Sequence, residues 1–240
     1  MVKTNMLYFR GCTAREKLNS ISDSTEEILK LAKIDFHLLE NENCCGSILL
    51  RTGFTEEGKE LIKNNLESFK DEQILVSCAG CYKTLKHDYK EIFDIEVDVI
   101  HISQLLKELL NNQQIANDIN QKKDKFSVTY HDPCHLGRHS NIYDAPREVI
   151  NYFSHIQEMD YNRENSKCCG SGGGVKSAFP DIAKSIATER VKEAEATGCN
   201  KLVTSCPFCK LNLDENSSLE VLDLTEFVLD RLANVEDINE

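Results

Sequence analysis

No stretch of this sequence comes near the roughly 20 consecutive apolar residues that a helix needs to cross a bilayer. The first residues, Met1-Val2-Lys3-Thr4-Asn5-Met6, lack the apolar region of a secretory signal and run straight into an expected strand. Membrane insertion is therefore not expected, and the cytoplasm is the expected compartment. Basic residues are also short, with 28 Lys and Arg against 40 Asp and Glu, for a formal net charge of −12. That balance argues against a nucleic-acid partner, which requires a basic face. Polar and acidic runs such as Glu56-Glu57, Asn111-Asn112-Gln113-Gln114 and Glu236-Asp237 read as solvated surface. The glycine run Gly170-Ser171-Gly172-Gly173-Gly174 lacks the Lys-Ser/Thr ending of a phosphate loop. With 240 residues, 40% of them hydrophobic, the chain can still bury a sizeable core, as one large domain or two small ones.

What is plentiful is cysteine. There are eleven, an odd number that a closed disulfide framework would have to explain. In a reducing compartment, clustered cysteines bind metal or do redox chemistry. They also repeat. The first half carries Cys12, Cys44-Cys45-Gly46 and Cys78-Ala79-Gly80-Cys81; the second carries Cys134, Cys168-Cys169-Gly170 and Cys206-Pro207-Phe208-Cys209. Ten of the eleven cysteines fall into these two sets of five, and only Cys199, expected as a small buried filler, is left over. The parallel extends to Ile74-Leu75-Val76-Ser77 against Leu202-Val203-Thr204-Ser205, and to residues 97–103 against 219–225. Each of the latter leads into an apolar helical pattern, Leu105, Leu106, Leu109 and Leu110 in one half and Phe227, Val228 and Leu232 in the other. The chain is thus a duplication, with a first domain at 1–112, a polar linker at 113–125 and a second domain at 126–240.

Each half alternates strand and helix. Leu7-Tyr8-Phe9 and Val128-Thr129-Tyr130 read as short buried strands. Ser24-Thr25-Glu26-Glu27 reads as a capping box ahead of Ile28 and Leu31, and Asp144-Ala145-Pro146 as a helix start in the matching place. Leu61, Ile62, Leu66 and Phe69 have helical spacing after the first cysteine pair. Ile182, Ala183, Ile186, Val191 and Ala194 have it after the second, with Gly198 as the stop. The expected fold class is α/β, with two pseudo-repeated Rossmann-like domains of mainly parallel strands. Cys12, Cys78, Cys134 and Cys206 would then lie just beyond strand carboxyl ends, the edge where open α/β sheets present ligand sites.

A single Cys-x-x-Cys is shared by zinc sites, redox pairs and iron–sulfur proteins. Two complete sets of five cysteines suit a structural zinc poorly, since zinc takes four ligands, although four of five could still form such a site. Iron–sulfur clusters are held by cysteine thiolates, and the glycines beside the double cysteine would let backbone approach a bulky cluster.

At these residues the sequence resembles the duplicated CCG, or cysteine-rich, domain. The likeness is carried by Gly11-Cys12-Thr13-Ala14, Ser77-Cys78-Ala79-Gly80-Cys81-Tyr82, residues 131–138 and Ser205-Cys206-Pro207-Phe208-Cys209. It covers about residues 6 to 233 and is nearest to the catalytic segment of heterodisulfide reductases of the D type, with the B type related. The resemblance implies a setting of anaerobic metabolism and methanogenesis. It also implies two noncubane 4Fe–4S clusters, one on Cys12, Cys44, Cys45, Cys78 and Cys81, the other on Cys134, Cys168, Cys169, Cys206 and Cys209. Replacement of one cluster by zinc stays open. The implied reaction is reduction of a small disulfide, such as that of coenzyme M and coenzyme B, to two thiols between the clusters. The alternative is an electron-transfer subunit for lactate or glycolate oxidation or for thiol-linked fumarate reduction. The ferredoxin-like Cys-x-x-Cys-x-x-Cys region of the D type is not present in the sequence, so a ferredoxin-like iron–sulfur or flavoprotein subunit is the expected electron donor.

Cys45, Cys169, His131 and His135 are the candidate catalytic residues. For His131, His135 and the nearby Arg138 two readings stand: delivering protons or holding an anionic substrate group, or hydrogen-bonding backbone and sulfur. His101 meets Asp223 in the repeat, a mismatch that points to structural tolerance rather than ligation. Tyr82 and Phe208 are expected to shield the sulfurs from water.

Overall fold

Four short apolar segments build each half. In the computed structural model, which describes residues 5–115 and 126–236, strands Asn5–Phe9 (β1), Asp35–His37 (β2), Ile74–Val76 (β3) and Val99–His101 (β4) form one parallel sheet in the order β2-β1-β3-β4. Ser127–His131 (β5), His155–Ile156 (β6), Lys201–Thr204 (β7) and Glu220–Asp223 (β8) form a second parallel sheet in the order β6-β5-β7-β8. The inner strands are apolar at successive positions, as in Leu7-Tyr8-Phe9 and Ile74-Leu75-Val76, because helices cover both of their faces. The register pairs Phe9 with Val76 and His131 with Thr204, so Phe9 and His131 hold equivalent places. The duplication and the α/β class read from the sequence are both present. The part of the expected linker at 116–125 lies outside the described residues.

The helices follow the apolar spacing, with one difference. The first long helix runs Asn19–Leu31, so Ser24 and Thr25 sit inside it rather than at its start. Thr25 Oγ1 donates to the Ile21 carbonyl one turn back at 2.7 Å, which removes its need for a capping position, and buried Ile21 extends the apolar face toward the N-terminus. Asp144–Phe153 begins where expected, with Pro146 in its first turn. Thr55–Phe69 and Pro180–Glu195 supply the long helices beyond each cysteine pair. Gly198 lies just past the second of these, at φ +76°.

His101 and Asp223 end β4 and β8, and both cap the helix that follows. His101 Nδ1 accepts from Ser103 N at 3.2 Å while Gln104 Oε1 accepts from His101 N at 3.1 Å. Asp223 Oδ1 accepts from Thr225 N at 3.0 Å while Glu226 Oε2 accepts from Asp223 N at 2.7 Å. An unlike pair in the repeat thus does one job, a capping box.

The halves are joined by helix exchange. Asn19–Leu31 packs on Leu224–Glu236, and Ile102–Asn111 on Asp144–Phe153. Between them runs one apolar core that includes Tyr8, Ile28, Leu106, Tyr130, Val149 and Phe227. This packing turns the carboxyl ends of β1, β3, β5 and β7 toward a common cleft. Among the described residues no helix is long and apolar enough to cross a membrane.

Candidate metal centre

All ten repeated cysteines line that cleft, and Cys199 is buried elsewhere. Cys12 follows Gly11, which has φ +81° and a site where a Cβ would come 3.0 Å from Cys81 Sγ, so only glycine carries the chain this close to the sulfur. Cys78 and Cys206 sit at helix N-caps, and at Cys206 the backbone N–H of Cys209 favours the thiolate. The carbonyls of the double cysteines are held from behind. Asn65 Nδ2 donates to Cys44 O at 2.8 Å, the Tyr89 hydroxyl to Cys45 O at 3.2 Å and Asn212 Nδ2 to Cys169 O at 2.6 Å.

The sulfurs crowd one another without forming disulfides. All eleven cysteines are free, and the Cys12 and Cys44 Sγ atoms are 3.8 Å apart. The crowding splits the thiols. Cys45 is held well below the usual thiol range by hydrogen bonds from Cys44 and Cys81, and Cys206 by Cys209 and Cys78. Cys168 is lowered to about 2 by Cys134 and Cys169. Their partners Cys78, Cys81 and Cys209 are pushed up, each first by a neighbouring cysteine. The Cys78–Cys206 contact crosses between the halves, so the two sets of sulfurs meet at the centre of the cleft. Free cysteine sulfurs gathered this closely, most of them buried, fit a thiolate-ligated metal cluster.

The surrounding charges fix the loops. Arg15 donates to the Glu42 carbonyl and Arg138 to the Ser166 carbonyl, each two residues before a cysteine pair. Arg138 therefore bonds backbone, the second of its two expected readings. The Glu42 carboxylate accepts from the Arg10 and Gly11 amides, both at 2.9 Å. In the second half a buried bidentate pair does the equivalent work, Arg147 Nη1 to Asp132 Oδ1 at 2.7 Å and Nη2 to Oδ2 at 2.8 Å. Sequence reasoning missed Glu42, Arg147 and Arg190. Arg15 alone had a signal, its place three residues after Cys12, close to that of Arg138 after Cys134.

The two histidines part company. His135 lines the cleft, and a Cβ on Gly80 of the first half would lie 3.5 Å from its Nδ1, so it sits where both sulfur sets meet. Burial lowers its pKa to about 4, and exposed His139 is edge-on to it at 5.3 Å between centroids. His131 is buried, lies outside the set of residues lining the cleft, and has a ring nitrogen within 4.8 Å of the Cys169 and Cys209 sulfurs. Burial and the neighbouring Arg190 charge lower its pKa to about 3. Tyr82 is buried beside the sulfurs with its ring edge-on to His101 at 6.0 Å, and Phe208 lines the cleft. The glycine run divides as well. Gly172 and Gly173 line the cleft as expected, but Gly170 is tight against a helix, since a Cβ there would meet Ala183 O at 2.7 Å.

The family model of the CCG cysteine-rich domain matches residues 6–86 and again 128–214. The chain belongs to the CCG cysteine-rich domain family. It is 41% identical over 230 residues to the D-type subunit of the dihydromethanophenazine:CoB–CoM heterodisulfide reductase of Methanosarcina acetivorans, covering 91% of this chain and 56% of that protein. It is 31% identical over 216 residues to the B-type subunit of the CoM/CoB fumarate reductase of Methanothermobacter marburgensis, covering 90% of this chain and 42% of that protein. Its likeness to EtfAB:quinone oxidoreductase of Syntrophomonas wolfei is 29% over 217 residues, covering 85% of this chain and 30% of that protein. This CCG chain spans somewhat more than half the length of the heterodisulfide reductase subunits it matches.

Proposed function

We propose that this CCG protein is an iron–sulfur oxidoreductase subunit that reduces a small disulfide to two thiols in the cleft between its halves. The observation that carries the reading is the convergence of all ten repeated cysteines on one cleft. Five sulfurs per half exceed what a structural zinc takes, and two noncubane 4Fe–4S clusters would use them all. Cys12, Cys44, Cys45, Cys78 and Cys81 would hold one, and Cys134, Cys168, Cys169, Cys206 and Cys209 the other. Bound there, the clusters would supply electrons one at a time.

The rest falls to the side chains. The balance is RSSR′ + 2 e⁻ + 2 H⁺ → RSH + R′SH, with the S–S bond broken and both electrons coming from a reduced iron–sulfur or flavoprotein partner. His135 is at the meeting point of the sulfur sets, and protons would reach it from solvent by way of His139. A neutral imidazole relays a proton by accepting one at the outer nitrogen as it releases one at the inner. Ile48 and Phe208 line the cleft and exclude water, and Arg51 is held at its edge by Asp88 at 2.9 Å. The likeness to heterodisulfide reductase subunits supports a mixed disulfide of coenzyme B and coenzyme M as substrate. The likeness to the fumarate reductase and EtfAB:quinone oxidoreductase relatives supports a second reading, electron transfer within another complex.

The test is thiol release. The iron-loaded chain, without oxygen and with reduced methyl viologen as single-electron donor, is given that mixed disulfide. Two thiols formed per disulfide, faster than with the donor alone, is the expected result. A rate no higher than the donor's own would overturn disulfide reduction and favour the electron-transfer reading.

A further inference from the structure

We infer that His131 is a fixed N–H donor to the sulfur site of the second half, oriented by Arg190, and that this makes the two sulfur sites electronically unlike. The inference rests on the cluster-bearing cleft proposed above. Arg190 Nε donates to His131 Nδ1 at 3.1 Å. A guanidinium can only donate, so Nδ1 offers its lone pair and the ring proton is on Nε2. Nε2 is buried and has no hydrogen-bond partner among the described residues. An orphaned buried N–H marks a missing acceptor. The groups packed nearby are sulfurs, with Cys169 and Cys209 Sγ within 4.8 Å of a ring nitrogen. The acceptor is therefore the charge that the second sulfur set carries when loaded.

The same tautomer argues against ligation by His131. A metal-ligating imidazole gives one lone pair to the metal and donates its other N–H to a carboxylate or carbonyl. Here the other nitrogen faces a donor. Arg190 is well secured for this, fully buried with further bonds to Tyr161 O at 2.9 Å, Ser166 Oγ at 3.2 Å and Glu193. The first half places no such donor at the equivalent position, and its own buried histidine, His101, is not grouped with that half's sulfurs among the described residues. Phe9 holds the place of His131 and stacks edge-on with Phe69 at 5.9 Å, leaving that sulfur set with an apolar neighbour. Hydrogen bonds to sulfur raise a cluster's reduction potential. The second half is then the more easily reduced, and the two halves titrate apart.

The experiment is a redox titration of the iron-loaded chain followed by EPR, on the wild type, His131→Phe and His131→Gln. The wild type should show two midpoints. His131→Phe, which copies the first half, should move the higher one down and leave the lower one in place. His131→Gln keeps an N–H and should fall between the wild type and His131→Phe. Pulsed EPR on the wild type needs no variant and should show an exchangeable proton with only weak nitrogen coupling. Unchanged midpoints in His131→Phe, equal shifts in the two variants, or a strong nitrogen coupling diagnostic of ligation would each overturn the inference. A wild-type chain that takes up no iron would instead defeat the cleft reading itself.

Discussion

Asp223 shows how a buried cap links folding to pH. Burial raises its pKa to about 8, against about 3.9 for an ordinary aspartate. Between those values the unfolded chain has lost the proton and the folded chain keeps it, so this residue's contribution to stability falls as pH rises from about 4 to about 8. Asp223→Asn keeps an oxygen for the Thr225 amide and removes the titration. Its urea midpoint should gain on the wild type steadily across that window, and a constant difference would contradict the assignment. His101, the matching cap, runs the other way. Its pKa is lowered to about 4 by burial, so its contribution is lost as pH falls from about 6.5 through 4. Cys45→Ser and Cys169→Ser should each lose iron from one half in metal analysis, and full iron in both would refute a five-sulfur set. The cysteines could be grouped into two sets from spacing because the repeat writes them twice. Arg190 with His131 and Arg147 with Asp132 could not be paired that way, since each contact is made by folding between unrelated positions.

At the scale of elements, the cysteine loops depend on glycines whose roles differ. Gly170 has φ +82° and a Cβ there would come 2.7 Å from the Ala183 carbonyl, while Gly173 has φ +63° with open space around it. Gly170→Ala should lower stability by about 1–3 kcal/mol in urea unfolding, with a smaller loss for Gly173→Ala. Equal losses would mean the helix does not press on the loop as described. The inner strands were legible because apolar residues follow one another in them, as in Ile74-Leu75-Val76, and the long helices because their apolar positions recur with a helical period. β2 and β6 were not, having only three and two residues on the sheet edges with polar and exposed positions among them. The start of the first long helix was misplaced because its apolar face extends back through buried Ile21, which puts Ser24 and Thr25 inside the helix rather than at its cap.

At the scale of the whole molecule, the helix exchange makes one folding unit of two repeats. Phe227 lies in the shared core and stacks edge-on with Phe153 at 6.2 Å. Phe227→Ala should cost about 3–5 kcal/mol and shift a single unfolding transition seen by calorimetry. Two separated transitions would contradict the shared core. One unit is also what the proposed chemistry needs, because a substrate between two sulfur sets requires their separation to be held by packing. The most direct test of the paired-cluster reading is iron, sulfide and zinc content on protein purified without oxygen, with EPR before and after the mixed disulfide is added. The reading predicts about eight irons per chain, matching sulfide and a new signal on adding the disulfide. About four irons with one zinc, or zinc alone, would contradict it.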